Sequence, residues 1–109
     1  MEFATLPSSH NGKPVLKLVG EVDVATVPRC SDAINKFVSE NSGIDVLLDL
    51  SHLTALDDTG LGIILGAAGR ARNAGGDIAL VVIDERLRQR LDITGLSRAL
   101  RVHHSINEA

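Results

Sequence analysis

The chain has no tryptophan and no tyrosine, and only two phenylalanines among its 109 residues. That leaves almost nothing on which a nucleobase could stack. It has no basic surplus either. At a formal net charge of −3, the chain as a whole gains nothing by displacing counterions from nucleic acid, so nucleic acid is not expected as a partner. The single cysteine, Cys30, can form neither an internal disulfide nor a multi-cysteine metal centre, which fits a reducing, cytoplasmic setting. No run approaches the ~20 apolar residues of a membrane span. The opening Met1-Glu2-Phe3-Ala4-Thr5 lacks the basic and apolar regions of a secretory leader, and no membrane partner is expected. Lysine is also scarce, confined to Lys13, Lys17 and Lys36, which bears on one chemistry considered below.

What is present is enough for one core and too little for two: 44% of residues are apolar and 23% charged, the proportions of an ordinary soluble globular domain, here spanning residues 1–109. The chain is organised around Leu56-Asp57-Asp58-Thr59-Gly60-Leu61-Gly62. This stretch follows the apolar run Val46-Leu47-Leu48-Asp49-Leu50 and opens an alanine-rich segment from Ile63 to Ala71. It reads as a strand end, a short loop and a helix N-terminus. The first turn of a helix leaves backbone N–H groups unpaired under a partial positive charge, and Asp57 or Asp58 is the natural cap. Gly60 and Gly62 each cost roughly 1 kcal/mol relative to alanine inside a helix. Two of them in one turn suggest that something approaches this backbone closely.

Taken in order, Phe3 to Thr5 reads as a short edge strand, and Ser8-Ser9-His10-Asn11-Gly12 as a turn built on Asn-Gly. A second strand runs from Val15 to Val19 and ends at Gly20; Glu21, Asp23 and Thr26 follow in an acidic loop. A helix starting at Thr26 or Val27 tolerates Pro28 in its first turn and spaces Cys30, Ala33, Ile34 and Phe37 on one side. The unbroken apolar strand Asp45 to Leu50 reads as central. The helix from Asp58 to about Arg72 lines up Leu61, Ile64, Leu65, Ala68 and Ala71, and stops at Asn73-Ala74-Gly75-Gly76. Ile78 to Ile83 is a fourth strand. Asp84 caps a short helix, Glu85 to Leu91, in which Arg86 and Arg90 share an exposed face. Thr94-Gly95-Leu96 is a turn, Leu100 to His103 a last strand, and Ser105 to Ala109 the start of a helix. Strands alternating with helices predict an α/β fold with a mixed, mostly parallel sheet of four to five strands, an antiparallel N-terminal edge strand and about four helices.

Charge divides unevenly: the chain through Gly60 carries −5 and the remainder +2. The acidic loops after the second and third strands both follow strand C-termini, which in a parallel sheet lie at one end, the end where ligands and partners bind. Glu21, Asp23, Asp57 and Asp58 are therefore expected to form one acidic surface that seeks a basic partner.

Three pieces of this sequence resemble the signatures of STAS domains, and among them the single-domain bacterial anti-sigma factor antagonists. They are Gly20-Glu21-Val22-Asp23; then Val46-Leu47-Leu48-Asp49-Leu50-Ser51 with Leu56 to Gly62; then Ile93-Thr94-Gly95-Leu96. The resemblance covers nearly the whole chain. It implies an antagonist that binds an anti-sigma factor, itself a serine kinase, and so frees a sigma factor. The kinase would release the antagonist by phosphorylating a serine at the head of the helix after the third strand, and a phosphatase would reverse this. A phosphate there adds roughly −1.5 to −2 charges at a helix N-terminus suited to anions. This sequence departs from the pattern at that point: Asp58 stands where the serine is expected, with Thr59 as the neighbouring hydroxyl. The resemblance assigns the partner surface to Glu21, Asp23, Asp57, Asp58, Thr59, Gly60, Leu61 and Gly62, with Leu61 as its apolar contact, and implies no cofactor and no catalysis. A STAS scaffold within a larger sensory assembly is a further reading.

Asp49 in Leu47-Leu48-Asp49-Leu50 also resembles the phospho-accepting aspartate of a response-regulator receiver, an alternative in which this chain transfers phosphate. No lysine after the last strand is available to neutralise a phosphoryl group. His103 and His104 are adjacent, so on a strand they point to opposite faces and cannot share one ion. No metal site is expected. Cys30 reads as a small core residue, and a redox role would require an exposed, electropositive thiolate.

Overall fold

A computed structural model describes residues 2–109; Met1 lies outside the described residues. Five strands, β1 (Ala4–His10), β2 (Lys13–Val22), β3 (Asp45–Leu56), β4 (Asp77–Val81) and β5 (Arg101–His103), form one sheet in the order 1-2-3-4-5. β1 runs antiparallel to β2, and all other pairs are parallel. Three crossovers link the parallel strands: α1 (Val27–Glu40), α2 (Asp58–Asn73), and the pair α3 (Glu85–Thr94) with α4 (Leu96–Ala99).

Because the order never reverses, crossovers of one hand lay every helix on the same face. The core reflects this. Leu16, Leu18, Val22, Val46, Leu48, Leu50, Ile78, Leu80 and Val82 from the strands share one buried cluster with Cys30, Ile34, Phe37, Ile64, Ala68, Leu87 and Leu91 from the helices. The opposite face carries Val15, Leu47 and Val81, also buried, with Asp49 among them. On α2 the inward stripe uses Ala67 rather than Leu65, which is 44% exposed.

Several elements exceed their predicted bounds. Ser8, Ser9 and His10 continue β1, paired with Val15, Pro14 and Lys13. The turn is only Asn11-Gly12, both at positive φ (50° and 81°), as the tight hairpin requires. β2 carries on through Gly20 and Glu21 to Val22. β3 runs six residues past Leu50 to Leu56, with register shifts against β2 in that extension. β4 accompanies β3 only from Asp45 to Asp49, so the end of β3 overhangs the sheet on that side. α3 extends to Thr94, α4 replaces the expected plain turn after Gly95, and the tail forms one 3-10 turn, Ile106–Glu108.

Candidate functional site

The overhang of β3 brings two segments together. Val22 and Leu56 are register partners at the C-terminal ends of β2 and β3, and the Asp57 N–H donates to the Val22 carbonyl at 3.1 Å. The loop after β2 and the head of α2 are thereby stitched side by side, at one end of the sheet as expected from the parallel order.

Within the loop, Asp23 is a structural residue. Its Oδ1 accepts the N–H groups of Ala25 (2.9 Å) and Thr26 (3.1 Å), and the Thr26 hydroxyl accepts the Asp23 N–H (2.9 Å) while donating to the Glu21 carbonyl (2.8 Å). This closed turn delivers Thr26 to the N-cap of α1 without any cap bond from its own side chain. The reading of Asp23 as a simple surface acid is therefore corrected: its carboxylate holds the loop. What the turn thrusts outward is Val24, 88% exposed, an apolar tip that polarity patterns passed over. Glu21 is not in the loop either; it is half-buried in β2.

At the head of α2, Asp57 is the N-cap, its Oδ1 accepting the Gly60 N–H at 2.9 Å. Asp58, Thr59 and Gly62 are exposed, whereas Gly60 and Leu61 are buried. Leu61, 3% exposed and part of the core, cannot present an apolar contact, because the first turn of α2 already faces inward at that position. The two glycines separate in the same way. A Cβ on Gly60 would lie 2.6 Å from Leu56 Cδ1 and 2.9 Å from Val22 Cγ1, so what approaches that backbone is the protein's own core. A Cβ on Gly62 would meet nothing within 4 Å.

The acidic surface expected to attract a basic partner is largely engaged within the chain. Asp23 and Asp57 are held by backbone N–H groups and Asp58 by an arginine, so these acids are no argument for a basic partner. Arg90 of α3 reaches across, one guanidinium nitrogen donating to the Leu56 carbonyl and another to Asp58 Oδ1 at 2.9 Å. A shallow hollow of about 260 Å³ lies beside it, lined by Leu53 to Leu56 and by Asp84, Arg86, Leu87 and Arg90. Asp84 is committed to capping α3 through Arg86 N and Leu87 N.

The remaining candidates fall elsewhere. Asp49 lies in the middle of β3, on the helix-free face, and its Oδ1 accepts both the N–H (3.0 Å) and the hydroxyl (2.5 Å) of Ser51. A receiver aspartate needs an accessible oxygen at a strand end; this one is 6% exposed and already engaged, which removes the receiver reading. Cys30 is fully buried, and burial, with the Asp57 charge adding to it, pushes its thiol up to about 11. The neighbouring Arg29 turns away, over the Phe3 ring and toward Glu2. His103 stays in β5, while His104 lies beyond it against Arg88 (2.8 Å). Among the described residues, no group of three or more His, Cys, Asp or Glu side chains is placed to hold a metal, and no helix is long and apolar enough to cross a membrane.

A sequentially ordered sheet with helices on one face, ending in a capped, acid-bearing helix head beside an exposed loop, defines a small α/β module with an exposed surface at that end of the sheet. A family model for the STAS domain matches residues 7–109, and the chain belongs to that family. It is 31% identical over 85 residues to the anti-sigma-B factor antagonist of Listeria monocytogenes, covering 78% of this chain and 74% of that protein. It is likewise 31% identical over 81 residues to the anti-sigma-B factor antagonist of Bacillus subtilis, covering 74% and 72%. A crystal structure of an anti-sigma factor antagonist from Mycobacterium paratuberculosis has the same fold, with a TM-score of 0.87 at 24% identity over 98% of this chain and 90% of that one.

Proposed function

We propose that this chain is an anti-sigma factor antagonist. It binds an anti-sigma factor through the surface formed by the loop after β2 and the head of α2, and so releases a sigma factor. The observation that carries the reading is the join between Asp57 N–H and the Val22 carbonyl, which ties the loop bearing the exposed apolar tip Val24 to the helix head bearing the exposed residues Asp58, Thr59 and Gly62. The strand order never reverses, so this end of the sheet lacks the crevice in which α/β enzymes hold small molecules. The adjoining hollow of about 260 Å³ also falls short of the ~300–1,000 Å³ of ordinary ligand pockets. Such a surface suits a protein partner and a binding role rather than catalysis. The names of the relatives point the same way.

The partner in this reading is an anti-sigma factor of the serine-kinase type, and a phosphatase would be its counterpart wherever the switch operates. Asp58 occupies the position of the phosphorylated serine, so this chain lacks the hydroxyl on which that switch depends. A lone carboxylate carries about half the charge of a phosphate at neutral pH, and binding persists in its presence.

The test starts from tagged protein in its native cells. An anti-sigma factor is expected to co-purify, and purified chain added to that factor's complex with its sigma factor should free the sigma factor on size-exclusion chromatography. With the factor and ATP, intact-mass analysis should find no phosphate on this chain and one phosphate on Asp58→Ser. Failure to release a sigma factor overturns the function; a phosphate on Thr59 of the unaltered chain overturns the loss of the switch.

A further inference from the structure

We infer that Arg90 is the built-in counter-ion of position 58: it neutralises the Asp58 carboxylate from within the chain and keeps the head of α2 open to an anti-sigma factor despite the acid there. This rests on the partner surface proposed above and adds how its charge is set.

The backbone explains why the guanidinium sits where it does. The two polar groups of a trans peptide point in opposite directions. The Asp57 N–H is bonded to Val22 on β2, so the Leu56 carbonyl of the same peptide is aimed away from β2, toward the side where β4 has already ended. No strand is left to satisfy that oxygen, and Arg90 does so from α3. An arginine presents several donors in a fixed plane, so anchoring one nitrogen on Leu56 leaves another directed at residue 58, where it holds Asp58 Oδ1 at 2.9 Å. The anchor does not depend on what residue 58 is; the donor waits for whatever charge is placed there.

The surroundings favour an anion at that point. Asp58 opens α2, where peptide N–H groups and the helix dipole attract negative charge. Asp57 is turned onto Gly60 and Asp84 onto its own helix. Arg86, on the same side of α3 as Arg90, lines the adjoining hollow. Asp58 itself is 92% exposed and Arg90 38%, so the pair is a weak fastener. Its effect is to remove one negative charge from the face a partner meets, without removing the residue.

The experiment is a double-mutant cycle on the full chain, comparing Arg90→Gln, Asp58→Asn and the two together, with calorimetric titration against the anti-sigma factor recovered as above. Uncovering Asp58 by Arg90→Gln should weaken binding by about fivefold at low salt, the upper range for an exposed pair, and less as salt rises. Whatever Asp58→Asn does by itself, the loss caused by Arg90→Gln should vanish when that change is made in the Asp58→Asn background. No loss on Arg90→Gln, or a loss that persists in the Asp58→Asn background, overturns the proposal and leaves Arg90 a tie between α3 and β3. A partner-free arm keeps the two readings apart. Asp58→Ser, carrying a phosphate on the new hydroxyl by genetic-code expansion, should show a phosphorus-31 titration midpoint lower by about 0.2–0.7 of a pH unit with Arg90 than with Arg90→Gln. Equal midpoints refute the counter-ion even where no partner binds; a clear difference without any anti-sigma factor binding refutes the proposed function alone.

Discussion

Gly60 and Gly62 lie two residues apart in one helix, yet alanine should act on them with opposite sign. At Gly60 a methyl would lie 2.6 Å from Leu56 Cδ1 and 2.9 Å from Val22 Cγ1, well inside contact distance. Both neighbours are buried, Leu56 at 5% and Val22 at 0% exposure, and Val22 is stiff about its first torsion, so the Val22 contact cannot be relieved by a simple side-chain rotation. Overpacking of this kind costs ~1–3 kcal/mol, against which the better helix propensity of alanine returns at most ~1 kcal/mol. The net expectation for Gly60→Ala is a destabilisation of about 1 kcal/mol. At Gly62 nothing lies within 4 Å, only the propensity term remains, and Gly62→Ala should stabilise by ~0.5–1 kcal/mol. The two variants should therefore differ by about 2 kcal/mol, a factor of roughly 30 in the folding equilibrium. Urea unfolding with matched m-values measures this directly. Equal stabilisation by both changes would refute the packing argument. The same pair also separates stability from function: if a partner rests on the bare backbone at Gly62, then Gly62→Ala will be the more stable protein and the weaker binder.

Three further outcomes are expected. Asp23→Ala removes the acceptor for the N–H groups of Ala25 and Thr26 and should destabilise by ~1–2 kcal/mol in urea; a change within about 0.5 kcal/mol, typical of surface sites, would return Asp23 to the status of a free surface acid. With Mg²⁺ and acetyl phosphate the chain should acquire no acid-labile phosphate, because Asp49 is buried and bonded twice to Ser51; labile phosphate that vanishes in Asp49→Asn would revive the receiver chemistry. Cys30 should make stability fall in alkali. Below its ordinary value of 9.0 the thiol is protonated in both states. Between 9.0 and about 11 the unfolded chain loses the proton while the folded one keeps it. This costs up to ~2–3 kcal/mol, a drop that urea midpoints should show in the native chain and lack in Cys30→Ala.

Where sequence reading succeeded and failed has a physical pattern. The caps at Asp57 and Asp84, the stop after Asn73 and the strand–helix alternation were legible because each depends on neighbours in the chain. β1 was cut short because Ser8, Ser9 and His10 lie on an edge strand, where polar residues imitate a turn. The end of β3 was missed for the same reason, since Ser51 to Ala55 leave the core and lose their apolar signature. Helical spacing already places Leu61 on the inward stripe, where it lies, and only its place in a motif suggests a surface contact. The bond from Arg90 to Asp58 joins residues 32 apart, and no periodicity encodes a contact of that kind. Arg90 was legible only as part of an exposed face.

The overhang of β3 has a consequence for solubility. Beyond Asp49 its edge toward β4 runs without a strand partner, and an open edge of this kind is a template for pairing with another chain. Features already on the strand blunt it. The register shifts against β2 break the regular spacing an incoming strand would need. The Asp49 carboxylate takes the Ser51 N–H, and Arg90 takes the Leu56 carbonyl. The arginine that shapes the helix head thus also occupies the last carbonyl of that edge, and losing Arg90 would leave Leu56 as an open invitation at the strand's far end.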